Sequence, residues 1–248
     1  MLTTPIEYVD GIYVKREDKF EFNGLRGAKV RSALYLINKA IDLGYKKITT
    51  VGHRKSPQIQ IVGEICKHFD LEFVGHTPQG ELPEAFSNYN IIQHKAGYNN
   101  VIAARCHQYT LDHKDFYEIP FGMISRESIL LTADEVFNIP LNSKRIVIPV
   151  GSGVNLCGVL LGFRKYKINI PITGVVVGMS PIPLLNKFAP FGWQNKVELV
   201  DAQVPYAKQI DNCIFNGIEL DPVYEAKCVP FIKKGDLFWI IGIRNFKI

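Results

Sequence analysis

Two kinds of apolar segment alternate along the chain: short runs of apolar residues, and longer stretches with an apolar stripe. This alternation predicts strands that are followed by helices. Short apolar runs bounded by turn residues are typical of buried strands, whereas longer stretches with an apolar stripe are typical of helices. Such an order favours parallel strand pairing with crossover helices, and therefore an α/β fold. The predicted strands are Ile12–Lys15, Lys47–Val51, Leu71–Gly75, Arg145–Val150, Ile172–Gly178 and Asp236–Gly242, and the predicted helices are Ala28–Leu43, Gln58–Phe69 and Leu156–Tyr166.

Composition limits the classes of protein to which the chain can belong. Its 248 residues are 47% apolar, enough for one large domain or two small ones. The net charge of +5 is modest and the basic residues are spread out, which favours a solvated surface over a nucleic-acid patch. Five cysteines without a CxxC pair indicate reduced thiols and no zinc site. The first residues lack a signal-peptide pattern and no apolar run reaches a membrane span, so we expect a cytoplasmic protein.

A glycine-rich loop, Val150–Gly158, follows an apolar strand and leads into a helix. Glycines let backbone N–H groups approach an anion closely, and the helix N-terminus adds a favourable dipole, so the loop fits a phosphate group. An ordinary tight turn between strand and helix would have the same pattern. The loop matches neither GxGxxG nor a P-loop, which argues against dinucleotides and ATP.

Lys29 stands near a predicted helix start in the segment Lys15–Arg31. Positive dipole charge at a helix N-terminus lowers the pKa of a lysine and favours the neutral amine that forms imines. On spacing alone, a solvated lysine is the commoner explanation.

Two further segments carry side chains suited to a site. In the strand-to-helix turn Gly52–Gln58, Ser56 and Gln58 can donate to a carboxylate, although a serine N-cap followed by proline explains the same residues. The segment Asp221–Lys227 reads as a turn into a helix, and by itself it indicates no function.

Together and in this order, these segments resemble the 1-aminocyclopropane-1-carboxylate deaminase and D-cysteine desulfhydrase family. That family belongs to the tryptophan-synthase-β-like, fold type II enzymes that depend on pyridoxal phosphate (PLP). Its motifs K-R-[DE]-D, G-N-K-x-R, S-N-[HQ], G-S-G-G-T-x-x-G and D-P-V-Y-[ET]-G-K are matched by Lys15–Asp18, Gly27–Arg31, Ser56–Gln58, Gly151–Gly158 and Asp221–Lys227.

The resemblance implies a role for each matching residue. Lys29 would hold PLP as a Schiff base and move protons, and Glu225 would face the pyridine nitrogen and stabilise a quinonoid intermediate. Tyr224 would lie beside the substrate, and Tyr206 is matched less directly to a second active-site tyrosine. Ser56 and Gln58 would bind the substrate carboxylate, and Ser56 would also be a catalytic residue. The phosphate would be bound by the loop residues Gly151, Ser152, Gly153, Val154 and Asn155.

The resemblance also implies the architecture and the partners. We expect a parallel-sheet PLP fold with two interwoven α/β subdomains across residues 1–248. A smaller subdomain is predicted at about 47–140, inserted into a larger PLP-binding one. A homodimer, a small amino-acid substrate and no membrane partner are expected.

Several positions depart from the family pattern. Pro57 replaces the asparagine that contacts the cofactor's ring oxygen, Ala28 replaces the asparagine before the lysine, and Ser32 replaces a basic residue. The strand end H-T-G-G becomes Gly242–Asn245. Cofactor attachment is compatible with these changes, but we expect the family's usual substrates to react poorly.

Three functions are therefore compared. The first is a PLP-dependent lyase or deaminase acting on a small amino acid. The second is a PLP enzyme that remodels an amino acid attached to a larger substrate, such as a nucleotide or a modified DNA base in a phage. The third is a catalytically idle relative, against which the joint presence of Lys29, Tyr224 and Glu225 argues.

Overall fold

The computed structural model describes residues 3–95, 97 and 99–244. The chain is an α/β protein with mainly parallel sheets, as predicted. It divides into two compact units, each assembled from separate stretches of chain. The first unit comprises residues 3–28 and 125–243, and the second comprises the described residues of 29–124 together with Arg244. These boundaries differ from the expected subdomain at about 47–140, which stays a prediction.

The first unit is built on a six-stranded sheet in which only the first pair of strands is antiparallel. Two small antiparallel sheets join Ile214–Phe215 (β12) to Ile218–Glu219 (β13), and Leu25–Gly27 (β4) to Glu21–Phe22 (β3) and Gly242–Ile243 (β15). Three helices complete the unit, α4 (Arg126–Asp134), α5 (Val154–Tyr166) and α6 (Ile182–Phe188). The large sheet has the strand order β1 (Ile6–Val9), β2 (Ile12–Arg16), β14 (Leu237–Ile240), β9 (Ile146–Val150), β10 (Ile172–Val176) and β11 (Val197–Asp201).

The second unit has a four-stranded sheet that is parallel throughout. Its strand order is β7 (Asn90–His94), β6 (Glu72–Pro78), β5 (Lys47–Val51) and β8 (Phe116–Ile119), and its helices are α1 (Ala28–Asp42), α2 (Gln58–His68) and α3 (Asn99–Asp112).

Close packing of α4 against α5 fixes the helix that follows the glycine loop. A Cβ atom at Gly158 would lie 2.4 Å from the Thr132 Cβ, and one at Gly162 would lie 2.5 Å from a Val136 methyl carbon. Glycine at two positions one turn apart therefore lets the helices approach more closely than larger residues would.

A buried ion pair joins the first unit's sheet to the segment after α4. The Lys15 ammonium lies 2.7 Å from the Glu135 carboxylate and also donates to the Thr4 carbonyl and the Asn138 side chain. Glu135 accepts further hydrogen bonds from the Thr4 backbone and hydroxyl. Every charge in this cluster is thus compensated, which is the condition under which a buried lysine is tolerated.

Most predicted elements are present, with shifted ends. Strand β5 matches its prediction, whereas α5 begins at Val154, two residues early, because Gly153 already starts the turn. The last predicted strand ends at Ile240, since Gly242–Ile243 pairs separately with β4. The irregular stretch 78–140 contains β7, α3, β8 and α4, which its mixed polar sequence did not reveal. In the described part of the chain, no helix is long and apolar enough to cross a membrane.

The buried pair yields a stability prediction. We expect Glu135→Gln to lower the free energy of unfolding by about 3–5 kcal/mol, because it leaves the Lys15 charge buried without its counter-charge. Asp134→Asn is the matched control, since it breaks the exposed pair with Lys165 and should cost less than about 1 kcal/mol. Urea denaturation measures both, and equal losses in the two variants would contradict the assigned role of Glu135.

Candidate active site

The glycine loop connects β9 to α5 in a conformation that requires glycine. Gly153 is the N-cap of α5 and has a φ of 93°, in the left-handed region, and a Cβ there would lie 3.1 Å from the Pro181 Cβ. The first helical bond runs from the Cys157 N–H to the Gly153 carbonyl. The N–H groups before Cys157 are therefore not used within the helix, and they form an arrangement suited to an anion.

Side chains of the same loop contribute less to such a site than its backbone. The Asn155 side chain accepts a hydrogen bond from the Thr132 hydroxyl at 3.0 Å, so it takes part in the packing of α4 on α5. Ser152 is half-buried. Any phosphate binding by these residues would therefore rely mainly on backbone N–H groups.

Two tyrosines lie beside this loop within the same unit. A Cβ at Gly151 would be 3.0 Å from a ring carbon of Tyr224, so only glycine fits that position without displacing the ring. The rings of Tyr206 and Tyr224 meet edge to face with centroids 5.9 Å apart. Tyr206 also packs beside Gly178, just beyond the end of β10. The structure thus brings together the loop and both predicted tyrosines.

Asp221 and Lys227 hold this arrangement in place, although the sequence analysis gave them no role. One Asp221 carboxylate oxygen accepts from the backbone N–H groups of Val223 and Tyr224. The buried Lys227 ammonium donates to the carbonyls of Pro205 and Tyr206. Both residues belong to the segment Asp221–Lys227, so their presence in that motif was the available signal.

Glu225 is a buried carboxyl group fixed by the main chain. Its Oε1 accepts from the N–H groups of Ile241 and Gly242 at 3.0 and 3.2 Å, just beyond β14. Burial, and secondarily the charge of Asp221, raises the pKa of Glu225 well above its usual range. Two backbone N–H groups therefore hold the Glu225 carboxyl group in place.

Lys29 belongs to the second unit, where it is the second residue of α1. Burial lowers the pKa of its amine to about 8 from the usual 10.5, while the residue as a whole stays half-buried. A larger share of the amine is therefore neutral near pH 7 than for an ordinary lysine, and the neutral form is the nucleophile.

Ser56 and Gln58 lie in the turn between β5 and α2. The Gln58 amide is buried, and it donates to the Thr50 hydroxyl at 3.0 Å and the Pro120 carbonyl at 2.9 Å. Both of its N–H donors are thereby used within the unit, so the structure leaves no Gln58 side-chain donor for a substrate carboxylate. The Ser56 oxygen accepts only a long contact of 3.4 Å from the Gln58 N–H, and its own hydrogen can still be donated.

Searches for sequence relatives found no match, either among protein-family models or among curated proteins. Solved structures are similar in fold. A protein described as an ACC deaminase homologue superposes with a TM-score of 0.83 at 22% identity, over 99% of this chain and 91% of its own. Threonine deaminase isoform 2 from Solanum lycopersicum gives 0.68 at 16% identity, covering 99% and 80%. Maize serine racemase gives 0.66 at 13% identity, covering 99% and 89%.

These likenesses confirm the expected fold type II architecture. At such low identity they establish the fold alone, and the roles of individual residues stay predictions. Asn245, the last residue of the altered strand end, lies outside the described residues.

The lowered pKa of Lys29 can be tested directly. Because only the neutral amine reacts, we expect reductive methylation of Lys29 to reach half its maximal rate near pH 8. Mass spectrometry of the peptide containing residue 29 measures the rate, and Lys29→Arg identifies the signal by removing the reactive amine. A rate that is still rising steeply at pH 10 would show that the amine is not perturbed.

Proposed function

We propose that the chain is a PLP-dependent enzyme that acts on an amino acid by lyase or deaminase chemistry. The observation that carries the proposal is Lys29, a lysine with a lowered pKa at the motif position where the resembling family attaches its cofactor. The fold supports it, because solved proteins with this fold include enzymes described as deaminases and a serine racemase.

The described residues fit the cofactor chemically. The turn Gly151–Gly153 leads into α5, whose first N–H groups are not used within the helix and suit a phosphate. Glu225 supplies a buried carboxyl group of the kind that pairs with a ring nitrogen. Lys29 supplies an amine that is readily neutral. When bound, PLP would act as an electron sink for charge developing at the substrate α-carbon.

The protein's own groups would divide the remaining work. The Lys29 Nζ would carry a proton to or from the substrate, for which a pKa of about 8 is well placed. Glu225 would hold a proton at Oε2, where its raised pKa keeps the acid protonated until a basic nitrogen faces it. Tyr224 would present its hydroxyl beside the substrate, positioned by Asp221 through the backbone. Ser56 would donate to the substrate carboxylate.

Cofactor attachment is the first test. We expect borohydride treatment of PLP-loaded protein to leave a pyridoxyl group on the peptide that contains Lys29, as detected by mass spectrometry. Lys29→Ala should lose this adduct and the visible absorbance band while keeping the wild-type far-ultraviolet circular dichroism spectrum. Finding the pyridoxyl group on a different lysine in the wild type would overturn the assignment.

The role of Glu225 is the second test. Glu225→Gln keeps the size of the side chain and its acceptor oxygen but cannot pass a proton to the ring nitrogen. We expect turnover to fall by about a hundredfold or more, with PLP affinity nearly unchanged. Glu219→Gln, a change at an exposed carboxylate, should have wild-type turnover. Unchanged turnover of Glu225→Gln on a substrate that the wild type processes would remove Glu225 from the mechanism.

A further inference from the structure

A buried hydroxyl group of α4 lies against the first turn of α5, within the first unit. Thr132 is fully buried, and glycine at position 158 makes room for it, since a Cβ there would lie 2.4 Å from the Thr132 Cβ. The Thr132 Oγ1 lies 3.0 Å from the Asn155 Oδ1 and 3.3 Å from the Ser128 carbonyl oxygen, one turn earlier in α4. Valine has nearly the same shape and would fill the space without a polar group, so packing alone does not account for the hydroxyl.

This hydroxyl group fixes the orientation of the Asn155 amide. A threonine hydroxyl has one hydrogen, and both of its neighbours here are acceptor oxygens. The contact with Asn155 is the shorter of the two, so the main hydrogen bond runs from the Thr132 Oγ1 to the Asn155 Oδ1. With Oδ1 engaged, the Asn155 Nδ2 is directed away from Thr132, and it donates no hydrogen bond to the described residues. Both N–H donors of the amide are therefore available to a ligand.

The Asn155 amide lies at the end of α5 where an anion would bind. Asn155 is the second residue of α5, and side chains of a helix lean towards its N-terminus. The backbone N–H groups before Cys157 are directed towards the same end and are not used within the helix. There Nδ2 would donate charge-assisted hydrogen bonds to an anion, whereas Oδ1 in its place would repel the anion. The orientation of the amide therefore decides whether Asn155 favours or opposes binding.

We propose that Thr132 is a positioning residue of the phosphate site, because it turns the Nδ2 donors of Asn155 towards the anion. This inference rests on the proposed function, which supplies the phosphate group of the cofactor. Thr132 itself would not contact the phosphate, and the backbone N–H groups would still provide most of the donors. Without the hydroxyl group, the amide would lose the hydrogen bond that selects one of its two orientations, and the site would lose donors.

The test compares two ligands that differ only in the phosphate group, pyridoxamine 5′-phosphate and pyridoxamine. Neither ligand has an aldehyde, so neither can form a Schiff base with Lys29. Equilibrium dialysis measures the Kd of each ligand, and the ratio of the two values reports the contribution of the phosphate group. We expect Thr132→Val to weaken binding of pyridoxamine 5′-phosphate by about tenfold and to leave that of pyridoxamine unchanged, because a hydrogen bond to a charged group is lost.

Two further variants of α4 separate positioning from packing. Thr132→Ser removes a buried methyl group but keeps the hydroxyl, so it should lower the melting temperature and keep the wild-type ratio of Kd values. Ser128→Ala removes the hydroxyl of another buried residue on the same face of α4, and it should also leave the ratio unchanged. Equal weakening of both ligands in Thr132→Val, or a reduced ratio in Thr132→Ser, would indicate a purely structural role and overturn the proposal.

Variants of Asn155 test the amide directly and do not depend on whether Thr132→Val folds. Asn155→Ala should weaken binding of pyridoxamine 5′-phosphate by about tenfold, and Asn155→Asp should weaken it further, because a carboxylate repels the phosphate. Adding Thr132→Val to Asn155→Ala should have no further effect, since both changes remove the same interaction. Circular dichroism checks the fold of each variant. An unchanged ratio of Kd values in Asn155→Ala would show that Nδ2 does not face the anion, which would overturn the proposal.

The same measurements distinguish failure of this proposal from failure of the proposed function. A phosphate preference in the wild type that Thr132→Val does not reduce would overturn the role of Thr132 and leave the proposed function in place. The expected loss in Thr132→Val, combined with failure of the borohydride test, would reject the proposed function and retain the phosphate site. Equal binding of the two ligands to the wild type would exclude the phosphate site, and with it the role of Thr132.

Discussion

Parallel pairing of β9 with β10 and β14 is the constraint on which the first unit's candidate site depends. Parallel strands end at the same edge of a sheet, and ligand sites of open α/β sheets lie beyond that edge. The glycine loop follows β9, Gly178 follows β10, and the backbone that anchors Glu225 follows β14. Tyr206 and Tyr224 pack against these strand ends. One pairing pattern thus gathers residues that are far apart in sequence.

The second unit follows the same rule with different chemistry. The turn that carries Ser56 follows β5, Thr77 lies near the end of β6, and the Pro120 carbonyl that accepts from Gln58 follows β8. Gln58 therefore connects neighbouring strand ends and stabilises the turn.

Buried charge is used in two distinct ways in this protein. The Lys15–Glu135 pair and the Lys227 ammonium have their partners within the fold, and they hold segments together. For Lys29 and Glu225, burial instead shifts the pKa, downward for the Lys29 amine and upward for the Glu225 carboxyl group. Groups of the second kind lower stability where they lie, which is a cost that functional sites often carry.

The sequence by itself determined the α/β class, most strand and helix positions and the glycine loop, because these depend on local periodicity and on turn chemistry. Strand β5 was predicted to the residue for that reason. Only the tertiary structure showed that Gln58 donates to Thr50 and Pro120, that Asp221 and Lys227 position the tyrosines, and that Arg244 donates to the Lys55 carbonyl. The Asp221 hydrogen bonds are local to its turn, whereas those of Lys227, Arg244 and Gln58 to Pro120 join residues that are distant in sequence. The pKa values of Lys29 and Glu225 likewise depend on burial, which no local pattern of residues encodes.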